Sequence, residues 1–278
     1  MHADGVVLGA ERIALLDLGT TDTARHVAER ITRNLGSDQS IVLVDHELAM
    51  SAARGVSYDG SLNMTLEEAR NLGAAIGCDY FIAGDAQTIR RSASDRPVYY
   101  EAYAALFIVN ANDGHLLKWY RPRSEKPTAL EAEQSLLVEL DRLAPAYIDE
   151  IKLAAETYRV ARLSPSSRES VGFEPAPDDE KLAAEKGIRL PQPYRRLRPE
   201  YPRSAAEADA EGTVDVLVDI DVKGEVAGLD VVRWAGFGLD EAAKQTIRQL
   251  HFRPAMVKNA PVPMRIMLRY NFRRPAKE

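Results

Sequence analysis

Histidine and acidic residues that could bind a metal or catalyse a reaction are few and scattered in this sequence. The five histidines stand at positions 2, 26, 46, 115 and 251. Asp45-His46-Glu47 is a dense group, but it lacks the i, i+4 spacing that places two ligands on one face of a helix. We therefore expect no metal site, no cofactor and no enzymatic activity.

The segment Leu18-Gly19-Thr20-Thr21 follows a predicted strand, as a phosphate-binding turn would. A Walker motif requires a Lys-Ser/Thr pair and a dinucleotide fingerprint requires three glycines, and the segment has neither. We interpret Thr20, Thr21 and Asp22 as residues that cap the following helix. No small-molecule substrate is expected.

The remaining reactive or aromatic side chains have simpler interpretations. Cys78 is the only cysteine, which excludes an internal disulfide and a cysteine-rich metal site and favours core packing. Tyr99 and Tyr103 share one face of a predicted strand and are expected to pack on the sheet. Trp234 and Phe237 flank a turn, where a core role is favoured over an exposed contact.

Length and charge limit the class of protein. At 278 residues, the chain is long enough for two domains of about 150 residues or fewer. Its formal net charge is -6 and its basic residues are dispersed among acidic ones, so nucleic acid is not an expected partner. No stretch approaches the roughly 20 apolar residues of a spanning helix. The N-terminus does not read as a signal peptide, so the signal of an exported form would lie outside this sequence.

Residues 11–162 alternate between strand-like and helical patterns. The predicted strands are Arg12–Leu18, Ser40–Asp45, Asp79–Arg90, Pro97–Asn110 and His115–Arg121, and the predicted helices are 22–36, 47–54, 65–77 and 128–162. Asn112-Asp113-Gly114 predicts a hairpin between the last two strands. We expect Pro145 to kink or split the last helix. This order predicts an α+β domain with helices on a mixed sheet, an α/β sandwich.

A proline-rich change of composition follows this first domain. Between residues 163 and 197 prolines recur at 165, 175, 177, 191 and 193, and apolar residues are too few to fold alone. We expect a linker there, with one or two helical turns at 178–186. The predicted domains are therefore 1–162 and 198–278.

The last domain has the pattern of two helices with a three-stranded antiparallel sheet. The predicted elements are a short helix at 204–210, strands at 212–222 and 226–234 joined by a tight turn at Lys223-Gly224, an amphipathic helix at 239–250 and a final strand at 262–272. The predicted fold class is thus α+β with two domains.

Six short blocks occur in order along this last domain. They are Pro199-Glu-Tyr-Pro202, Glu211-Gly-Thr-Val214, Val218-Asp-Ile-Asp-Val-Lys-Gly224, Gly238-Leu-Asp-Glu-Ala-Ala243, Phe252-Arg-Pro-Ala255 and Pro261-Val262. In this order and spacing, residues 198–273 resemble the C-terminal domain of the TonB energy-transducer family.

The resemblance implies a domain that binds a short extended segment of a partner, typically the N-terminal box of an outer-membrane receptor, by adding a strand to its sheet. Tyr201-Pro202 marks the entry of the domain in this family. It either lies beside the binding groove or forms a fixed turn that starts the short helix. Members of the family also have an N-terminal membrane anchor and a long proline-rich spacer. We find neither in this sequence, so strand-type binding alone carries over and no force transmission is assigned.

The final strand is the candidate edge for such binding. By the period of two, Arg265, Arg269 and Arg273 share one face, with Met267 and Asn271 between them. These arginines could receive an acidic partner segment, or they could form a solvated face that protects the edge from aggregation. Both interpretations stay open. The candidate partner-binding residues are Tyr201, Pro202, Arg265, Met267, Arg269, Asn271 and Arg273.

The N-terminal half carries a second resemblance. Arg12-Ile-Ala-Leu-Leu-Asp-Leu18, Ile41-Val-Leu-Val-Asp45, Glu68-Ala-Arg-Asn-Leu-Gly-Ala-Ala-Ile-Gly-Cys-Asp-Tyr-Phe-Ile-Ala-Gly84 and Val109-Asn-Ala-Asn-Asp-Gly114 are similar to the α+β module of the curli-secretion protein CsgG and the N-terminal domain of TolB. Such modules assemble with one another or with envelope partners and are not enzymes.

These observations predict a non-enzymatic periplasmic adaptor. Its first domain would dock on an envelope assembly, and its second would capture an extended segment of another envelope protein, such as an outer-membrane receptor. The alternative is a structural component of a trans-envelope motility, secretion or transport complex, for which a homo-oligomer would be expected.

Overall fold

The structure is a computed structural model that describes residues 10–93, 96–163, 172–177 and 180–274. Contacts divide the chain into two compact units. The first unit lies within residues 1–164. The second unit lies within residues 165–278 and includes the short segment Asn63–Thr65.

The first unit contains four helices and six strands among the described residues. They are β1 (Glu11–Leu15), α1 (Asp22–Gly36), β2 (Ile41–Leu43), α2 (His46–Gly55), α3 (Leu66–Ile76), β3 (Tyr80–Ala93), β4 (Arg96–Asn110), β5 (Leu116–Tyr120), β6 (Arg123–Lys126) and α4 (Ala129–Leu163).

These strands form one mixed sheet in the order β2-β1-β3-β4-β5, with β6 also paired to β4. β1 is parallel to both β2 and β3. β3, β4, β5 and β6 pair antiparallel, as the Asn112-Asp113-Gly114 signal predicted for the β4–β5 hairpin. The prediction of a mixed sheet is therefore confirmed.

Helices α1 and α4 pack on one face of this sheet. Their apolar residues, including Ile31 and Leu136, form one buried cluster with Ile13, Ile82 and Ile108 of the strands. Each side chain of this kind that becomes fully buried stabilises the fold by about 1.5–3 kcal/mol. The Thr21 side chain accepts a hydrogen bond from the Ala24 amide and caps α1, as predicted.

Three local predictions for this unit need correction or extension. β2 was predicted as a buried strand, but it is a short strand at the sheet edge and Val42 is 48% exposed. β6 was not predicted, because four residues carry too little period-two signal. Pro145 does not split α4, which is assigned as one helix from Ala129 to Leu163.

The second unit contains three helices and nine strands among the described residues. They are β7 (Glu174–Pro175), α5 (Glu180–Glu185), β8 (Ile188–Arg189), β9 (Gln192–Pro193), α6 (Arg203–Ala208), β10 (Gly212–Ile220), β11 (Val226–Arg233), α7 (Leu239–Ile247), β12 (Phe252–Arg253), β13 (Ala255–Val257), β14 (Ala260–Val262) and β15 (Met264–Phe272).

The main sheet of this unit has the strand order β11-β10-β15-β7. β10 lies between β11 and β15 and is antiparallel to both, which confirms the predicted three-stranded antiparallel sheet. Leu239, Ala243 and Ile247 of α7 are fully buried in one cluster with Val216 and Val218 of β10. Helix α7 therefore covers one face of the sheet.

The turn between β10 and β11 depends on two residues. The Asp221 carboxylate accepts hydrogen bonds from the amides of Lys223 and Glu225. Gly224 has a φ of +84°, and a Cβ at this position would lie 1.8 Å from the carbonyl oxygen of Phe252. Only glycine fits here, which confirms the predicted turn.

Part of the predicted linker pairs with strands of the second unit. β7 pairs with β15, β8 with β13 and β9 with β12. β7 joins the main sheet, whereas β8 and β9 pair in separate small sheets. Each of these two-residue strands pairs with a strand far along the chain, so its own sequence contains no strand signal. Over the described part of the chain, no helix combines the length and apolar character that a bilayer-spanning helix needs.

Candidate functional site

The two faces of β15 differ in exposure. Ile266, Leu268, Tyr270 and Phe272 pack against the core that α7 covers. Arg265, Met267, Arg269 and Asn271 alternate with them on the other face, where Met267 is 55% exposed. The candidate residues of this strand therefore share the face that points away from the core.

Two arginines of this face form bidentate ion pairs with the neighbouring strand. Arg265 Nε lies 2.6 Å from Asp219 Oδ1 and its second nitrogen 2.9 Å from Oδ2. Arg269 holds Asp215 with the same two distances, 2.6 and 2.9 Å. The hydrogen bond to the carboxylate raises the pKa of each guanidinium, so both stay charged at any physiological pH.

The third arginine is held more loosely. Arg273 lies 3.2 Å from Glu211 Oε2, and 81% of its side chain is exposed. The Glu211 carboxylate also accepts a hydrogen bond from the Arg274 amide, which lowers the pKa of Glu211. The acidic partners Glu211, Asp215 and Asp219 are thus spaced four residues apart, as are the three arginines.

These pairs change the interpretation of the arginines. The sequence left open whether they receive an acidic partner segment or form a solvated face. In the structure, each of the three guanidiniums already forms an ion pair with a carboxylate of the same unit. The carboxylates Glu211, Asp215 and Asp219 were missed by sequence reasoning, although their spacing of four matches that of Arg265, Arg269 and Arg273.

The direction of the main-chain groups of β15 follows from two hydrogen bonds. The Ala176 amide donates to the Arg265 carbonyl, 2.8 Å away. The N–H and C=O of Arg265 therefore point away from β10, toward β7. At the other end, Thr213 lies opposite Asn271, and its amide bonds to Asn63 Oδ1 on the side away from β15. In an antiparallel pair, opposed residues both face each other or both face away. Asn271 therefore also points its main chain outward.

By the period of two, Met267 and Arg269 between these ends point outward as well. Each of the three residues Met267, Arg269 and Asn271 offers one N–H and one C=O at the outer side of β15. Within the described part of the chain, β7 is the only strand on this side, and it pairs with Met264 and Arg265 alone. The outer side of β15 from Met267 to Asn271 is called the open edge below.

Tyr201 and Pro202 are held by contacts at the start of the domain. The Tyr201 hydroxyl donates to the Ala210 carbonyl at 2.6 Å, and Pro202 is the N-cap residue directly before α6. A Cβ on Gly238 would lie 3.3 Å from Pro202 Cβ. These contacts favour the fixed-turn interpretation, in which the pair joins the start of α6 to the turn before α7.

The turn before α7 contains a buried carboxylate. Asp240 accepts hydrogen bonds from the amides of Ala235 and Gly236, at 2.9 and 2.8 Å. Burial raises the pKa of Asp240 to about 6, although these two hydrogen bonds act in the opposite direction. Trp234, next to this turn, is 2% exposed and belongs to the core, in agreement with the favoured interpretation of its sequence position.

Side chains of the first unit that suggested chemistry are engaged in local contacts. His46 lies 3.0 Å from Asp17, and the Tyr103 hydroxyl donates to Asp85. Burial raises the pKa of the Cys78 thiol to about 12, so it is a weak nucleophile at neutral pH. No group of three or more metal-ligating side chains occurs within the described residues.

A cleft of about 840 Å³ lies beside the turn that follows β1. The carboxylates of Asp17, Asp22 and Asp45 line it together with Thr20 and Thr21. Glu29 adds a fourth carboxylate, and Arg25 and Arg33 are the two basic residues of the lining, so acidic side chains outnumber basic ones and disfavour a phosphate group. Thr21 is used as the cap of α1.

A family of known proteins matches part of the second unit. Residues 198–273 match the family described as Gram-negative bacterial TonB protein C-terminal. This segment is therefore a TonB-type C-terminal domain, as its sequence blocks predicted. No curated protein matches the chain.

Several solved structures are similar to parts of the chain. The TonB C-terminal domain of Pseudomonas aeruginosa is 23% identical, with 36% of this chain and 94% of that chain covered and a TM-score of 0.27. A hypothetical protein from Chlamydia trachomatis is 11% identical, with 50% and 99% covered and a TM-score of 0.34. A PelC dodecamer from Paraburkholderia phytofirmans is 12% identical, with 51% and 92% covered and a TM-score of 0.31.

Proposed function

We propose that this chain is a periplasmic adaptor that binds an extended segment of an envelope protein as an added strand on the open edge of β15. The observation that carries the proposal is the outward main chain of Met267, Arg269 and Asn271 in a TonB-type domain. An unpaired strand edge binds an extended segment through main-chain hydrogen bonds, while side chains on alternate positions select its sequence.

The expected affinity is moderate. Three outward residues offer one donor and one acceptor each, and a hydrogen bond contributes about 1 kcal/mol net. The gain of about 6 kcal/mol is reduced by the entropy of ordering the bound segment. The edge therefore suits a transient complex that is strengthened by side-chain contacts.

Two exposed side chains near the open edge, those of Met267 and Arg273, suit such contacts. Met267 is more than half exposed and lies between the Arg265 and Arg269 ion pairs, so it offers an apolar contact of adaptable shape. Arg273 is the most exposed of the three arginines and shares its carboxylate with the Arg274 amide. We assign recognition of an acidic residue of the partner to Arg273 rather than to Arg265 or Arg269.

The division of labour in the chain is part of the proposal. Residues 198–278 carry the partner-binding edge, residues 1–162 dock on an envelope assembly, and residues 163–197 connect them. No catalytic step and no transmission of force is assigned to the chain. The periplasmic location is supported by the Gram-negative TonB-type domain.

The test uses proline to remove single main-chain donors from the full-length chain. Met267→Pro removes an outward N–H and spares the hydrogen bonds to β10, so the domain should stay folded. Binding to a panel of synthetic peptides from the N-termini of outer-membrane receptors should weaken at least about tenfold, since one lost hydrogen bond and a clash remove more than about 1.4 kcal/mol.

Two controls accompany this variant. Met267→Ala keeps the main chain and tests the side chain alone. Ile266→Pro removes a donor that faces β10 and should destabilise the domain itself by about 3 kcal/mol. Equal peptide binding by Met267→Pro and the unmodified chain, or binding of no peptide by either, would overturn strand addition at this edge.

A further inference from the structure

One end of the outer side of β15 is occupied by the chain itself. β7, from the predicted linker, runs parallel to β15 with Glu174 opposite Met264 and Pro175 opposite Arg265. The Ala176 amide donates to the Arg265 carbonyl at 2.8 Å. Both strands belong to the second unit.

We propose that the segment 172–177 is an internal cap that competes with the partner for the outer side of β15. This inference rests on the proposed function, because it concerns the regulation of the same edge. The cap covers the first outward residue, Arg265, and ends before the next one, Met267. The outer side of β15 is thus divided into a covered end and the open edge.

The prolines of the cap suit this role. Pro175 lies opposite Arg265, a residue that faces the cap, so Pro175 directs its own ring nitrogen and carbonyl away from β15. Proline has no N–H to offer to another strand. The cap therefore covers Arg265 without creating a complete new edge on which a further chain could add.

The cap is built to be displaced. It pairs over two residues only, and Glu174 and Pro175 are both exposed. A segment held by so few hydrogen bonds remains in place chiefly because it is tethered, with an effective concentration on the order of millimolar. A partner segment can first pair with the open edge. When it extends past Met267 and displaces the cap, it also forms hydrogen bonds with the N–H and C=O of Arg265.

The geometry also indicates which partner segments the edge accepts. β7 shows that a parallel segment fits, with its residues opposite Arg265 turned away from β15. By the period of two, partner residues opposite Met267 and Arg269 are turned away in the same manner. Prolines are tolerated at these alternate positions, so the class of partner includes extended segments with proline at every second residue.

The test measures amide exchange at single-residue resolution in the full-length chain. In a parallel ladder the Arg265 amide faces the Glu174 carbonyl, so it should exchange slowly. Ala176→Pro removes the N–H that donates to the Arg265 carbonyl. We expect the Arg265 amide to exchange at least about tenfold faster in this variant, while the Ile266 amide, bonded to β10, exchanges at an unchanged rate. Ala176→Ser keeps the donor and should exchange as the unmodified chain does.

A second variant tests competition directly. Replacing residues 172–177 by alternating glycine and serine keeps the chain length but removes the prolines and Phe173. This chain should bind a synthetic peptide of residues 172–177 about 2- to 10-fold more tightly than the unmodified chain, because a flexible glycine-serine segment loses more conformational entropy on pairing and competes less well than the proline-containing cap.

The outcomes separate the cap from the proposed function. Equal Arg265 exchange in the unmodified, Ala176→Pro and glycine-serine chains would overturn the cap. If Arg265 is released in both variants and the peptide binds, but no receptor peptide binds any chain, the cap stands and the proposed function fails.

Discussion

At the scale of single residues, the three arginine pairs of β15 are unequal in burial. Only 4% of the Asp215 side chain is exposed, and Arg233 lies 3.4 Å from its second oxygen, so two arginines share this buried carboxylate. The Glu211 side chain, at one end of the series, is 44% exposed. A buried charge that loses its partners costs far more than an exposed one.

We expect Asp215→Asn to destabilise the second unit by about 1–3 kcal/mol, because the amide accepts fewer hydrogen bonds and leaves two arginines without a full countercharge. Glu211→Gln, the control four residues away, should leave the melting temperature nearly unchanged. Thermal denaturation of the full-length variants checks both. A larger effect for Glu211→Gln would show that burial does not rank these pairs.

Some of this site could be predicted from the sequence. The period of two placed Arg265, Arg269 and Arg273 on one face of a strand; Arg265 and Arg269 have that arrangement on β15, and Arg273 directly follows the strand. The pairs with Asp215 and Asp219 were not predicted, because the register between β10 and β15 is a long-range property that one sequence does not fix. Tyr201 and Pro202 were selected from the family resemblance, which does not show which side of the domain they occupy.

At the scale of elements, the turn before α7 is held by one acid. Asp240 binds the amides of Ala235 and Gly236, and the three residues that follow Ala235 all have positive φ. Because the turn has this backbone conformation, its amides cannot form the regular bonds of a helix or strand. The carboxylate of Asp240 takes the place of those partners.

Asp240 should make the second unit less stable as the pH rises. Its pKa is raised from 3.8 to about 6 in the folded state, so its contribution is fully present below pH 4 and is lost as the pH rises through 6. A pKa difference of about two between the folded and unfolded states corresponds to about 3 kcal/mol in the free energy of unfolding. Asp240→Asn should remove this dependence and cost about 1–3 kcal/mol at low pH, because the amide accepts only one of the two hydrogen bonds.

Denaturant unfolding at pH 4 and pH 7 measures this effect. Asp38 of the first unit acts in the opposite sense, because its hydrogen bonds with Lys152 and Ser40 lower its pKa to about 2, and its contribution is lost only as the pH falls from about 4 toward 2. The two groups therefore act in different pH ranges. An Asp240→Asn chain with the same pH dependence as the unmodified chain would contradict the assignment.

The elements differ in how well the sequence predicts them. Long strands such as β3, β4 and β10 and the amphipathic helices α1 and α7 have clear periods and were found close to their observed bounds. β6, β7, β8 and β9 have four residues or fewer and gain their hydrogen bonds from distant strands. Such strands follow from tertiary contacts, and the proline-rich composition of 163–197 gave no indication of them.

At the scale of the whole molecule, the adaptor and the structural component make different predictions. An adaptor that captures a partner transiently should be a monomer in solution, whereas a component of a permanent assembly should form a ring or an obligate dimer. We expect light scattering of the full-length chain to give a mass near 30.8 kDa at micromolar concentration. A stable mass several times larger would favour the structural role.

The measurement that tests strand addition most directly is residue-resolved amide exchange along β15, with and without a Gram-negative envelope extract. Strand addition predicts that the outward amides of Met267, Arg269 and Asn271 gain protection with the extract. Ile266, Leu268 and Tyr270 should be protected in both samples, since they face β10. Exchange that is the same in both samples, or protection without this alternation, would contradict the addition of a partner strand to β15.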